Sequence, residues 1–61
     1  MINLNSIYIH KDGGEYRTLA TTEVISSNGN IMTLVEYEDI ETKEIFYRTI
    51  KHFEKSFKIK G

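Results

Sequence analysis

The sequence predicts an all-β domain, mainly strand, with one short C-terminal helix. Three observations carry that expectation. Turn dipeptides at Asp12-Gly13, Gly13-Gly14 and Asn28-Gly29 split the chain into short runs rich in Thr, Val, Ile and Tyr. The apolar pattern alternates in places up to Arg48 and takes helical spacing after Thr49. The chain has no Pro, which would break central strands, over its whole 61 residues.

The elements follow in order. Ile7-Tyr8-Ile9-His10 is a short β-prone run. Lys11-Asp12-Gly13-Gly14 supplies the positive φ angles of a tight hairpin turn. Residues 15 to 26 run without a breaker. Tyr16, Thr18, Ala20, Thr22 and Val24 alternate with Arg17, Leu19, Thr21, Glu23 and Ile25, and neither set is cleanly apolar. A bent strand that exchanges its inward face midway explains that pattern. Asn28-Gly29 predicts a two-residue type I′ turn with both residues at positive φ. Ile31 to Glu38 is the next strand, Asp39 to Glu44 a polar link, and Ile45 to Arg48 a fourth strand. Ile50, Phe53 and Phe57 then form one helical stripe, with Thr49 as N-cap. The helix is expected over residues 50 to 57, and Lys58 to Gly61 is expected to fray. The sum is one domain, residues 1–61, of four or five antiparallel strands. A small, strongly bent SH3-like barrel is the favoured closure, with a bent meander or a flat sheet under the helix as alternatives.

Size limits function. A core this small supplies few kilocalories, so nearly every apolar side chain is structural and few remain for chemistry. The absence of Cys disfavours a disulfide scaffold. No secretion signal or membrane span is legible, so a cytoplasmic protein without membrane contact is expected. Net charge is −1, which gives little general attraction to a polyanion. The charges are segregated, however. Glu36, Glu38, Asp39, Glu41 and Glu44 oppose only Lys43, whereas Arg48, Lys51, Lys55, Lys58 and Lys60 oppose only Glu54.

Tyr8-x-His10, Gly14-x-Tyr16-x-x-Leu19, Val35-x-Tyr37, Arg48 and Phe53 give a spacing that resembles domain-of-unknown-function family 1653, small prokaryotic and phage proteins. The resemblance spans about residues 7 to 57. It departs at Thr49, where the family tends to have Pro, and at Lys43, where it tends to have Gly. Thr21 to Asn30 does not match. The resemblance implies a compact β fold and no particular activity.

The candidate chemistry is sparse. His10 and His52 stand far apart without ligand spacing, so no metal or other cofactor is expected. No nucleophile motif is present. Glu36 and Glu38, read as the acidic edge of an exposed hairpin, are ordinary carboxylates there. Gly13-Gly14 leads into no helix and is no phosphate loop. An enzyme is therefore not expected. Tyr8, Tyr16, Tyr37, Tyr47 and Phe46 could line a groove, although some of these rings must fill the core. The expected function is non-enzymatic binding of a protein partner, by analogy as a phage or mobile-element modulator of a host enzyme. The binding residues would be Glu36, Glu38, Asp39, Glu41, Tyr37, Tyr47, Arg48 and Lys51. The alternative is a nucleic-acid-binding barrel that uses the basic end and exposed Tyr. A homodimer through a sheet edge is a further expectation.

Overall fold

The computed structural model describes residues 2–60. One antiparallel sheet holds five strands: β1 (Ile7–His10), β2 (Glu15–Ile25), β3 (Ile31–Asp39), β4 (Ile45–Thr49) and β5 (Phe57–Ile59). Their spatial order is β4-β3-β2-β1-β5. The first four strands form a meander. Helix α1 (Ile50–Ser56) then carries the chain from β4 across to β1, beside which β5 pairs. No helix among the described residues is long and apolar enough to cross a membrane.

The sheet is bent, and the bend begins at Leu19. Pairing of β2 with β3 slips between Thr18 and Ala20. Up to Thr18 the even residues of β2 face inward, with Thr18 opposite buried Tyr37. Beyond the bulge Thr21, itself exposed, pairs with buried Val35, and Ala20 pairs with Glu36, so the register moves Ala20 to the other face. The predicted exchange of faces is this bulge. Its consequence is curvature. The edges of a flat five-stranded sheet lie about 19 Å apart at the usual strand spacing. Here the Arg48 guanidinium on β4 sits 5.8 Å from the ring centre of Phe57, where β5 begins. The sheet curls into a small barrel left open between β4 and β5.

The curled face encloses Tyr8, Val35, Tyr37, Phe53 and Phe57. Phe53 stacks on Phe57 at 4.2 Å and 6°, and Tyr8 and Tyr37 meet Phe53 edge-on at 5.0 and 5.2 Å. Ile2, Tyr16 and Ile50 pack around this cluster. Thr18 is the buried polar member. Its hydroxyl donates to the Asn3 carbonyl at 2.6 Å and accepts the Ser6 N–H at 3.2 Å. That leaves no polar penalty and ties the N-terminal segment to β2 beside the bulge.

The turns show where local chemistry rules. The Asn28-Gly29 turn is not type I′, because Asn28 does not take positive φ. The Gly29 N–H donates to the Ser26 carbonyl at 2.9 Å, and the Ser26 N–H to the Asn30 carbonyl at 2.7 Å. That is a wider hairpin loop in which Gly29 alone, at φ 86°, is left-handed. The β1–β2 turn repeats it: Gly13 N–H bonds His10, His10 N–H bonds Gly14, and Gly13 has φ 101°. In the β3–β4 turn the left-handed residue is Lys43, at φ 67°.

Three further boundaries differ from expectation. The helix stops at Ser56. Phe57 is extended at φ −126° and ψ 147°, and its N–H still bonds the Phe53 carbonyl. Thr49 is the N-cap, and its hydroxyl accepts the His52 N–H at 3.4 Å. The tail does not fray, since Phe57–Ile59 pairs with β1 and the Lys60 N–H bonds the Ile7 carbonyl at 2.9 Å. Of the residues expected to fray, Gly61 lies outside those described. Lastly, β3 runs one residue further, to Asp39, and because it lies between β2 and β4, Glu36 and Glu38 are half-buried in a central strand and not on an exposed hairpin edge.

Phe53→Ala should lower the free energy of unfolding by about 3–5 kcal/mol in chemical denaturation, since the ring is 0% exposed. A small shift would show that the helix does not anchor the core. Lys43→Gly should raise stability by about 1 kcal/mol by relieving a left-handed side-chain-bearing residue. Gly29→Val should lower it by roughly 1–2 kcal/mol. Equal stability of all three proteins would refute the turn assignments.

Candidate functional site

Alternation on four strands brings one set of side chains to the mouth of the curl. His10 and Tyr16 come from β1 and β2, Tyr37 from β3, and Phe46 and Arg48 from β4. With Asp12 and Phe57 they line a cleft of 140 Å³. Its walls are rings packed mostly edge to face. Tyr16 meets Tyr37 at 5.6 Å and Phe57 at 5.3 Å, and His10 meets Phe57 at 4.8 Å. Phe46 stacks on Tyr37 at 5.7 Å and 27°.

Two polar devices sit in this aromatic surround. Arg48 Nε donates to the Tyr37 hydroxyl at 2.8 Å. That bond aims the guanidinium over Phe57 and leaves its terminal N–H groups without a partner among the described residues. Opposite, the Asp12 carboxylate accepts the Gly14 N–H at 3.0 Å and lies 2.9 Å from His10 Nδ1. The Asp12 N–H also approaches Nδ1 at 3.2 Å. The two contacts need opposite roles for that nitrogen, and the shorter one, to a charged acceptor, is the stronger. The Gly14 N–H first, and His10 second, hold the Asp12 carboxyl below its usual range. Asp12 thus fixes the turn that delivers His10 to the cleft. Burial pushes the Tyr16 hydroxyl pKa up, aided by the charges of Asp39 and Asp12.

The cleft opens beside a free strand edge. The Asp39 N–H donates to the Glu44 carbonyl at 3.0 Å, which makes those residues a hydrogen-bonded pair. Antiparallel alternation then makes Tyr37–Phe46 and Val35–Arg48 hydrogen-bonded pairs also. Glu38–Ile45 and Glu36–Tyr47 are the intervening pairs. The backbone groups of Ile45 and Tyr47 therefore point away from β3, toward the open side. Ile45, Phe46 and Tyr47 are all exposed. At its Thr49 end the edge meets an apolar groove of 470 Å³, lined by Ile31, Met32, Thr33, Thr49, Ile50, Lys51 and His52. It exists because β3 extends past β4, and Ile31–Thr33 have neighbours only on β2.

The eight residues singled out from sequence surround β4 but do not share one face. Tyr37 and Arg48 belong to the cleft, where Tyr37 is 3% exposed and offers little beyond its hydroxyl. Glu36, Glu38 and Tyr47 lie on the outer face; Tyr47 is 57% exposed. Glu38 is 3.6 Å from Arg17 Nη1. Asp39 shapes the β3–β4 turn, accepting the Glu41 N–H at 2.8 Å, and Glu41 is exposed in that turn. Lys51 lines the apolar groove at the other end. His10, Asp12 and Phe57 were not expected in a site. The sequence pattern places His10 at a strand end and Phe57 on the helix stripe. The available signal was alternation: Tyr8-x-His10 and Phe46-x-Arg48 each put two residues on one face. No group of three His, Asp or Glu side chains able to hold a metal occurs among the described residues. Comparison with known proteins finds no match for this chain among protein families, curated proteins or solved structures.

The Tyr16 shift has a pH consequence. Its neutral form is favoured by folding, so the stability it contributes is present below the ordinary tyrosine pKa of about 10. That stability is lost as pH rises through the higher folded value. Tyr16→Phe should flatten the fall of stability in the alkaline range, measured by urea denaturation at successive pH values. An unchanged slope would show that Tyr16 ionises as freely folded as unfolded.

Proposed function

We propose that this chain is a non-enzymatic protein-binding module that takes an extended segment of a protein partner along the free edge of β4. One observation carries the reading. β4 ends the sheet with the backbone groups of Ile45 and Tyr47 turned outward, and three successive exposed apolar residues beside them. Edges of this kind are usually protected by Lys, Pro or a very short strand. The other edge, β5, is three residues long and carries Lys58, with Lys60 just beyond it. β4 has no such protection over Ile45–Tyr47.

An added strand finds two kinds of surface. Its inward side chains meet Phe46, Arg48 and the aromatic cleft. Its outward side chains meet Ile45 and Tyr47, with Glu38 and Glu36 directly behind them. Main-chain pairing supplies affinity and these surfaces supply choice of partner. The acids steer association more than they hold the complex. Base stacking fits less well. Phe46 and Tyr47 lie on opposite faces of β4, and Tyr16, Tyr37 and Phe57 already cover one another.

The test is selection of peptides from a random display library, followed by titration calorimetry. Tyr47→Pro is the decisive variant. It deletes an outward N–H and leaves the ladder to β3 intact, so the fold should persist. Selected peptides should lose at least roughly tenfold in affinity against it, equivalent to one good interaction. Peptides that bind both proteins equally would refute strand addition at β4. Micromolar binding of random DNA or RNA that disappears between about 50 and 200 mM salt would favour the nucleic-acid reading instead.

A further inference from the structure

The open edge has a sequence that complements itself. Resting on the reading of β4 as a docking edge, we propose that its occupant is β4 of a second copy. The two strands run antiparallel about a two-fold axis at Phe46, and two five-stranded sheets join into one of ten. Hydrogen bonding restricts the choices. Ile45 and Tyr47 turn their backbone groups outward, whereas the Thr49 carbonyl, at the N-cap, already serves the helix, so the central antiparallel bonds must join Ile45 and Tyr47. Two central registers satisfy this. One puts Ile45 opposite the partner's Tyr47, and the other puts Tyr47 opposite the partner's Tyr47.

Side chains decide between them. With the axis at Phe46, Glu44 faces the partner's Arg48, and Arg48 faces the partner's Glu44. Ile45 covers the partner's Tyr47 on the outer face, and the two Phe46 rings meet on the inner face. Both ion pairs use groups the single chain leaves open. The Glu44 carboxylate has no partner among the described residues, and the terminal N–H groups of Arg48 have none either. The Nε bond to Tyr37 already holds that guanidinium, so little ordering remains. With the axis at Tyr47, Glu44 faces the partner's Ile50 and loses its charge partner. Opposite charges directly across an antiparallel pair favour association, and like charges oppose it. A two-fold axis makes each such contact count twice.

Sedimentation equilibrium from micromolar to millimolar protein at low salt should show a monomer–dimer equilibrium. Glu44→Arg and Arg48→Glu each set like charges across the axis, and each alone should dissociate more readily, roughly tenfold. An equimolar mixture of the two variants should form a heterodimer, because every like-charged contact then becomes an opposite one. Failure of the mixture to associate, with both variants folded by circular dichroism, would overturn the register. Since Arg48→Glu also removes the bond to Tyr37, a second probe leaves that bond intact. The chain has no cysteine. In this register position 46 faces itself in a non-hydrogen-bonded pair with Cα atoms about 4.5 Å apart, within disulfide reach. Phe46→Cys should cross-link on oxidation faster than Tyr47→Cys; the reverse order would overturn the proposal. A strict monomer at millimolar concentration overturns the dimer but leaves strand addition standing if Tyr47→Pro still weakens peptide binding. A wild-type dimer that persists in Tyr47→Pro overturns the β4 interface itself.

Discussion

The stack of Phe53 on Phe57 is the contact from which the rest of the molecule is organised. The two rings lie nearly parallel at 4.2 Å, one at the centre of the short helix and one on the first residue of β5. The contact closes the passage from β4 to β1. Phe57 then meets Tyr16, Tyr37 and His10 edge-on, so it is also the floor of the cleft. Each such edge contact contributes roughly 0.5–1.5 kcal/mol beyond area burial. Of the buried hydrophobic residues among those described, Val35 alone is aliphatic. A short chain without disulfides reaches a closed core by using large rings that serve several strands at once.

Curvature is the second constraint, and it links the core to the surface. The bulge at Leu19 lets a single long strand serve two directions of the sheet. Without it the even residues of β2 would stay on one face, and Ala20, Thr22 and Val24 would face inward. With it the two edges of the sheet approach until Arg48 overlies Phe57. The cleft is the gap that remains between them. Barrel closure stops there because β5 is too short to continue the ladder and β4 is followed at once by the helix. An aromatic floor, one oriented guanidinium and an unprotected strand edge thus arise from the same incomplete closure.

That arrangement divides β4 between the core and the open side. β4 holds its place through pairing with β3, the Phe46–Tyr37 stack and the Arg48–Tyr37 bond. Its other side offers backbone groups and apolar surface to whatever pairs there. Lys43 adds a small strain in the turn just before it. The strand with the longer free edge is therefore also one of the less deeply buried parts of the fold.

The sequence by itself determined the class, the number of turns, the Thr49 cap and the face exchange in β2. Those features are local, since turn dipeptides, capping and alternation act within a few residues. It also marked Tyr37, Tyr47 and Arg48 as notable. It did not determine that Tyr37 and Arg48 share a cleft with His10 and Phe57, while Tyr47 faces the other way. Nor did it settle the type of the Asn28-Gly29 turn, or the fate of Lys58 to Lys60. The spacing of Ile50, Phe53 and Phe57 fits a continuing helix as well as a helix that ends in a strand. Only tertiary structure decided this. Phe57 becomes extended because β1 offers it a free ladder and Phe53 a ring to stack on, and neither is visible within a short window of sequence. Burial and pairing partners come from distant segments, and those partners decide which of the alternating faces becomes a site.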